Sequence, residues 1–197
     1  GLFQNGDEAH LLYGVLLNSY RFNKYFSEKK HARINYLDTI NLVSSDINLV
    51  RKKWNRLEAI KEGVFFTRDL VSEPANNLTP SILAKEASKL KKFGLKINIL
   101  DEKKLKILKM GALLGVAQGS ANKPYVVTLE WKGNNNKKDF DYSFVGKGVT
   151  FDTGGISIKP SNGMEEMKYD MGGSAVVLGL MKALAVGKSK SNVVGIV

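Results

Sequence analysis

Apolar positions in the first third of the chain recur at helical spacing. Residues 9–22 place five such side chains on one face of a predicted helix, namely Leu11, Leu12, Val15, Leu16 and Tyr20. Residues 34–43 are then typical of a strand, followed by a turn at 44–46. From residue 45 a long helix is predicted to continue towards Leu70, carried by Ile47, Val50, Trp54, Leu57, Ile60 and Val64. This helix would link an N-terminal part, residues 1–60, to a second part, residues 61–197.

Helix-like and strand-like patterns alternate through the second part. Thr79 and Pro80 mark a helix start, with proline at the first helical position. We predict helices at 81–93, 102–110 and 172–186, and strands at 95–100, 113–117, 125–131, 142–145 and 192–197. The alternation predicts an α/β domain in which a mixed β-sheet is flanked by helices.

The last predicted strand is an apolar run, NVVGIV, of the kind found buried in parallel sheets. No loop follows it, and the first residue is Gly1, not Met. We therefore expect a truncated chain whose domain is incomplete at the C-terminus. The last strand is a candidate for an unprotected sheet edge, which is an aggregation hazard.

Composition is that of a globular protein and excludes several classes of site. A chain of 197 residues with 43% hydrophobic content can bury a core. It contains no cysteine, so disulfide scaffolds, thiolate zinc sites and a cysteine nucleophile are excluded. No uncharged apolar stretch approaches the roughly 20 residues of a membrane helix. Residues 1–10 resemble neither a signal nor a transit peptide, so the expected location is the cytoplasm, with no membrane partner.

The formal net charge of +11 raises a second functional class. Clustered Lys and Arg bind nucleic acid phosphates, so a non-enzymatic basic α/β domain that binds nucleic acid is the alternative function. The basic residues are spread over several segments, however, and solvated helix faces and loops account for most of them.

Candidate chemistry is concentrated in residues 145–173, which read VGKGVTFDTGGISIKPSNGMEEMKYDMGG. This segment spaces Lys147, Asp152, Lys159 and Asp170 among seven glycines. It lies between a predicted strand end and a predicted helix start, where open α/β sheets hold their ligands. The composition is that of a metal or anion site.

Each of these residues also has an ordinary structural interpretation. Lys147 and Asp152 can share a cation or simply form a salt bridge, because a lysine must lose its proton to coordinate a metal. Asp170 precedes two glycines at a helix start, where carboxylates are favoured. Lys159 is either a solvated lysine or an ammonium held near a reacting carbonyl. Glu165, Glu166 and Lys168 fit the exposed side of a turn better than a ligand set.

The segment resembles, nearly position for position, the first metal-binding signature of the leucyl aminopeptidases, also called cytosol aminopeptidases. The matching positions are Lys147, Gly148, Thr150, Phe151, Asp152, Gly154, Gly155, Lys159, Met167, Asp170, Met171, Gly172 and Gly173. The resemblance extends over residues 68–197, strongly in the last third, and implies a zinc-exopeptidase-like catalytic domain.

The resemblance implies a role for each site residue. Lys147 would bind the tighter of two divalent metal ions, zinc or manganese, Asp152 would bridge both ions, and Asp170 would join the tighter site. Lys159 would be catalytic, polarising the substrate carbonyl. The implied activity is metal-dependent release of N-terminal amino acids such as leucine from peptides, and the implied assembly is a homo-hexamer.

One part of the family pattern is missing. The second signature, Asn-Thr-Asp-Ala-Glu-Gly-Arg, supplies the remaining metal ligands and an arginine that holds a bicarbonate acting as general base, and it does not occur in this sequence. We therefore expect the 197-residue chain alone to be inactive and at best a weak metal binder.

Overall fold

A computed structural model describes residues 6–31 and 37–197 of the chain. Its first part consists of helices α1 (Glu8–Ser19), α2 (Glu28–His31) and α3 (Ile47–Ser72). Helix α3 begins after Asp46, whose side chain accepts a hydrogen bond from the Leu49 amide at 3.0 Å. The helices predicted from residues 9 and 45 are confirmed.

The strand predicted at residues 34–43 is wrong over residues 37–43, which form neither helix nor strand. Residues 34–36 lie outside the described residues. A strand needs a neighbour to take its backbone hydrogen bonds. Every strand of the sheet comes from residue 96 onwards, and Val43 is 90% exposed.

Helices and strands alternate in the remainder. They are α4 (Pro80–Ser88) with a 3-10 segment (Lys89–Phe93), β1 (Lys96–Leu100), α5 (Glu102–Ile107), α6 (Gly111–Ala117), β2 (Val126–Lys132), β3 (Tyr142–Val145), a second 3-10 segment (Met164–Met171), α7 (Gly172–Val186) and β4 (Asn192–Ile196). The predicted helices at 81–93 and 172–186 and the predicted strands at 95–100, 125–131, 142–145 and 192–197 are confirmed to within a few residues.

The strand predicted at residues 113–117 is wrong, because these residues form helix α6. The predicted helix at 102–110 is also shorter and ends at Ile107. Lys109 adopts a positive φ of 55°, which ends the helical path and allows α6 to start at once. A short apolar run such as ALLGVA fits a helix as well as a strand, since periodicity cannot separate them over so few residues.

The four strands form one mixed sheet in the order β1-β2-β4-β3. Strand β2 is antiparallel to both β1 and β4, whereas β3 runs parallel to β4. Helix α7 makes the connection that parallel neighbours require. The observed fold is therefore the predicted α/β class with a mixed sheet flanked by helices. Strand β4, the candidate for an unprotected edge, is instead paired on both sides, and the edges of the sheet are β1 and β3.

Helix α7 is the centre of the core. Leu178 and Met181 on α7 and Leu129 on β2 are fully buried, and Val193 on β4 is 1% exposed. Burying a side chain of this size stabilises the fold by about 1.5–3 kcal/mol. In the described part of the chain, the stretch Met164–Val186 is long and apolar enough to cross a membrane by length and composition alone. Its helix α7 is a core helix, packed between α3 and the sheet.

Candidate active site at the end of β3

Strand β3 leads directly into the candidate site. The Gly146 amide donates to the Ile196 carbonyl at 2.9 Å, which extends the β3–β4 pairing by one residue. The Ser174 amide then donates to the Lys147 carbonyl at 2.8 Å, joining this loop to the first turn of α7. A Cβ at Gly146 would lie 2.5 Å from the Gly173 carbonyl oxygen. Glycine at 146 is therefore needed for the close approach that positions Lys147.

Lys147 forms an ion pair with Asp170. The distance from the Lys147 Nζ to the Asp170 Oδ2 is 2.9 Å. The Lys147 side chain is 59% exposed and that of Asp170 only 18%. Asp170 lies in the 3-10 segment that ends where α7 begins, and the residue that caps α7 is Met171. The helix-cap interpretation of Asp170 is thus replaced by pairing with Lys147.

Asp152 and Lys159 form a second pair within one tight loop. Lys159 Nζ lies 2.8 Å from Asp152 Oδ2 and donates to the Asp152 carbonyl at 3.2 Å. The Gly154 amide donates to Asp152 Oδ1 at 2.9 Å. Gly154 has a φ of +94°, and a Cβ there would lie 2.3 Å from the Ser157 carbonyl oxygen. A glycine at 154 is therefore required for the loop to close.

The two pairs are electrostatically linked. The pKa of Asp152 is lowered, first by the hydrogen bond from Lys159, then by the Gly154 amide, and further by the charges of Lys159 and Lys147. The salt bridge between Lys147 and Asp152, which the spacing left open, is replaced by Lys147 with Asp170 and Lys159 with Asp152. Two positive and two negative side chains thus make a group that is neutral overall.

A methionine completes the surroundings of Lys159 and was missed as a contact from the sequence. The Lys159 Nζ lies 3.1 Å from the sulfur of Met167, in the second 3-10 segment. The only sequence feature that pointed to Met167 was its position in the glycine-rich motif. Glu165 and Glu166 are exposed, as the sequence indicated for the outer side of this turn.

The ligand atoms of the candidate site are of the kinds that bind a divalent ion, but there are too few of them to complete a site. Asp152 and Asp170 provide carboxylate oxygens, and Lys147 provides an amine that would have to lose its proton. Within residues 6–31 and 37–197, no group of three or more His, Cys, Asp and Glu side chains is arranged to hold a metal ion. The described residues therefore fit part of a metal site.

Comparison with known proteins identifies the family. The model of the cytosol aminopeptidase family catalytic domain matches residues 65–197. A protein of Brucella anthropi named "Probable cytosol aminopeptidase" is 49% identical, over 98% of this chain and 39% of its own length. A similarly named protein of Phytoplasma mali is 46% identical, over 93% of this chain and 37% of its own length. The chain thus spans about two fifths of the length of these relatives.

Solved structures give the same result. The bottromycin maturation enzyme BotP in complex with Mn superposes with a TM-score of 0.82 and 32% identity, covering 96% of this chain and 38% of that one. The cytosol aminopeptidase from Coxiella burnetii has a TM-score of 0.81 and 30% identity, covering 96% and 39%. With the family match extending over the loop that carries Lys147, Asp152, Lys159 and Asp170, the chain belongs to the cytosol aminopeptidase family.

Proposed function

We propose that this chain provides the first part of the active site of a metal-dependent aminopeptidase. Lys147, Asp152 and Asp170 would hold the metal, and Lys159 would be the catalytic side chain. The observation that carries this proposal is the pair of linked ion pairs, Lys147 with Asp170 and Lys159 with Asp152, placed between the end of β3 and the start of α7. Family membership supports a peptidase function for this geometry.

The protein residues have separable tasks. Lys147 would bind through its neutral amine, which requires its ammonium to lose a proton to solvent and to give up the ion pair with Asp170, whose Oδ2 lies 2.9 Å from its Nζ. Lys159 is held by the carboxylate and carbonyl of Asp152 and by the sulfur of Met167, which restricts the directions in which its ammonium can point. A divalent ion, when bound, would polarise a carbonyl oxygen and lower the pKa of a coordinated water.

Several finer features belong to the same proposal. Two ions, zinc or manganese, and a bicarbonate would complete the site, and BotP in complex with Mn supports manganese. The substrates would be peptides with a free N-terminal residue such as leucine, and the assembly would be a homo-hexamer in the cytoplasm. The division into residues 1–60 and 61–197 is supported by the start of the family match at residue 65.

The 197-residue chain should be inactive by itself. Two carboxylates and one lysine do not fill the coordination shells of two ions. The relatives are about two and a half times as long as the part that this chain matches, since it spans 39% of the Brucella anthropi protein. A protein of the relatives' full length would provide further ligands.

The test has two measurements. Calorimetry measures manganese binding, and an assay of leucine amide hydrolysis is run with and without chelator. We expect weak binding and no hydrolysis by the 197-residue chain, and chelator-sensitive hydrolysis by a full-length protein. Lys147→Ala should abolish the weak binding. The matched control is Lys96→Ala, which removes an exposed lysine paired with Glu130 at 3.2 Å and should leave binding unchanged. Chelator-sensitive hydrolysis by the 197-residue chain would contradict the assignment of an incomplete site.

The net charge of +11 favours the alternative, nucleic acid binding by a basic domain. The two functions differ in their response to salt and chelator. Phosphate binding weakens steeply as salt rises and ignores chelator, whereas metal-dependent hydrolysis is abolished by chelator. Binding of a DNA duplex that persists at physiological salt would favour the alternative.

A further inference from the structure

The turn that joins the Lys159 loop to the Asp170 segment carries an asparagine followed by a glycine. Asn162 is exposed, and the turn is closed by a hydrogen bond from the Met164 amide to the Ser161 carbonyl at 3.2 Å. Gly163 has a φ of +80°, the conformation that a type II turn requires at its third residue. Space around Gly163 is open, since a Cβ built there would meet no atom within 4 Å.

We propose that Asn162 is a site of spontaneous deamidation and that its conversion separates Met167 from Lys159. The main-chain nitrogen of Gly163 attacks the Asn162 Cγ, and the new N–Cγ bond forms as the Cγ–Nδ2 bond breaks. The amide nitrogen leaves as ammonia and carries the proton lost by the Gly163 nitrogen. Water then opens the five-membered imide at either carbonyl and gives aspartate or isoaspartate.

The surroundings of Asn162 favour this reaction over reaction at asparagines that precede a residue with a Cβ or that are buried. A following residue with a Cβ hinders attack by its own nitrogen, and Gly163 has neither a Cβ nor crowding neighbours. Asn192 is the opposite case. It is fully buried, and its Nδ2 donates to the carbonyls of Asn134, Lys137 and Asp139.

The consequence for the active-site loop follows from the position of the turn. The contact between Lys159 Nζ and the Met167 sulfur, 3.1 Å long, joins the two ends of the loop formed by residues 160–166. Isoaspartate inserts one carbon atom into the backbone inside this closed segment. Aspartate adds a negative charge but keeps the backbone length. The isoaspartyl form therefore changes the geometry that holds the Lys159 ammonium, whereas the aspartyl form changes mainly its charge environment.

The first experiment incubates the 197-residue chain at mildly alkaline pH and follows deamidation by peptide mapping. We expect the peptide containing Asn162 to accumulate aspartate and isoaspartate faster than the peptide containing Asn122, an exposed asparagine followed by Lys123. Peptide mapping also separates Asn162 from Asn5, the residue before Gly6. Conversion at Asn162 that is no faster than at Asn122 would overturn the proposal.

The second experiment labels the five methionine methyl groups with 13C and records spectra during the incubation. We expect a new Met167 signal that grows with the isoaspartyl fraction, while the signal of Met181, fully buried in the core, stays in place. Asn162→Gln is the control: the longer side chain keeps the amide but closes a ring less readily, so both the conversion and the new signal should be lost. Isoaspartate formation without a new Met167 signal would overturn the coupling to Lys159.

Discussion

Individual side chains determine the charge balance of the candidate site. Lys147 and Lys159 have the same charge and lie in the same segment, yet their surroundings differ. The Lys147 side chain is 59% exposed and touches one carboxylate, while the Lys159 side chain is 34% exposed and touches Asp152 and Met167. Lys147 is therefore the more accessible of the two to an incoming cation, whereas contacts with Asp152 and Met167 hold the Lys159 ammonium in place.

This difference separates the two lysines by mutation in a full-length protein. Lys159→Ala should leave metal content nearly unchanged and lower turnover, because the ammonium acts on charge that develops during the reaction. The expected loss is about 3 kcal/mol, or roughly a hundredfold in rate. Lys147→Ala should reduce metal occupancy first. Metal analysis with steady-state kinetics checks both, and loss of metal from Lys159→Ala would reverse the assignment.

Tyr20 gives a pH prediction at the same scale. Burial and its hydrogen bond to Asp69, 2.8 Å long, raise the pKa of Tyr20 to about 12. Because the folded state favours the neutral phenol, the stabilisation is fully present below the ordinary value of about 10. It is lost as the pH rises through the folded value. The alkaline absorbance titration of the native chain minus that of Tyr20→Phe should show this phenol titrating at about 12. Asp69→Asn should move it back towards its ordinary value.

At the scale of elements, the crossing of α3 and α7 positions the helix that follows the candidate site. Gly63 and Gly179 meet at this crossing, and Thr67 Oγ1 donates to the Ala175 carbonyl at 3.1 Å. Close backbone approach of two helices needs residues without side chains at the contact. The same approach places the first turn of α7 against the Lys147 loop.

The crossing predicts a large effect from one methyl group. A Cβ at Gly179 would lie 2.0 Å from Thr67 Oγ1 and 2.6 Å from the Gly63 carbonyl oxygen. Gly179→Ala should therefore destabilise the fold by about 1–3 kcal/mol, the usual cost of overpacking. Gly14→Ala is the matched control, because a Cβ there meets no atom within 4 Å, and it should stabilise helix α1 by up to about 1 kcal/mol. Chemical denaturation of both variants checks the prediction, and equal effects would argue against a tight crossing.

At the scale of the whole molecule, the sheet ends in an exposed apolar edge. All four residues of β3 are exposed, including Tyr142 and Val145, and Ile156 and Ile158 in the following loop are exposed as well. Unpaired backbone groups beside apolar side chains favour association with another chain.

This edge predicts the association behaviour of the 197-residue chain. Tyr142→Lys should reduce concentration-dependent association, because a charge on an edge strand opposes further pairing. The free energy of unfolding should change little, since Tyr142 is 58% exposed. Light scattering over a concentration series measures the effect. Val176→Lys is the control: it adds the same charge at a position equally exposed but on α7, and it should reduce association less.

The sequence by itself determined the elements whose signals are local. Helical spacing of apolar residues located α1 and α3, and the apolar run NVVGIV located β4. The glycine-rich motif, matched residue by residue, located Lys147, Asp152, Lys159 and Asp170 and indicated the family. Each of these signals is contained in one helix, strand or loop, because it reflects the backbone hydrogen bonding and side-chain direction of that element alone.

The tertiary structure alone decided which groups meet. Lys147 pairs with Asp170, 23 residues away, instead of Asp152, because the α7 start is held against the β3 end. Strand β4 lies inside the sheet and β3 at its edge, since strand order depends on how α7 returns the chain. The segments at 37–43 and 113–117 did not become strands, since neither pairs with a strand of the sheet. Partner choice of this kind depends on packing between distant segments, which local periodicity does not contain.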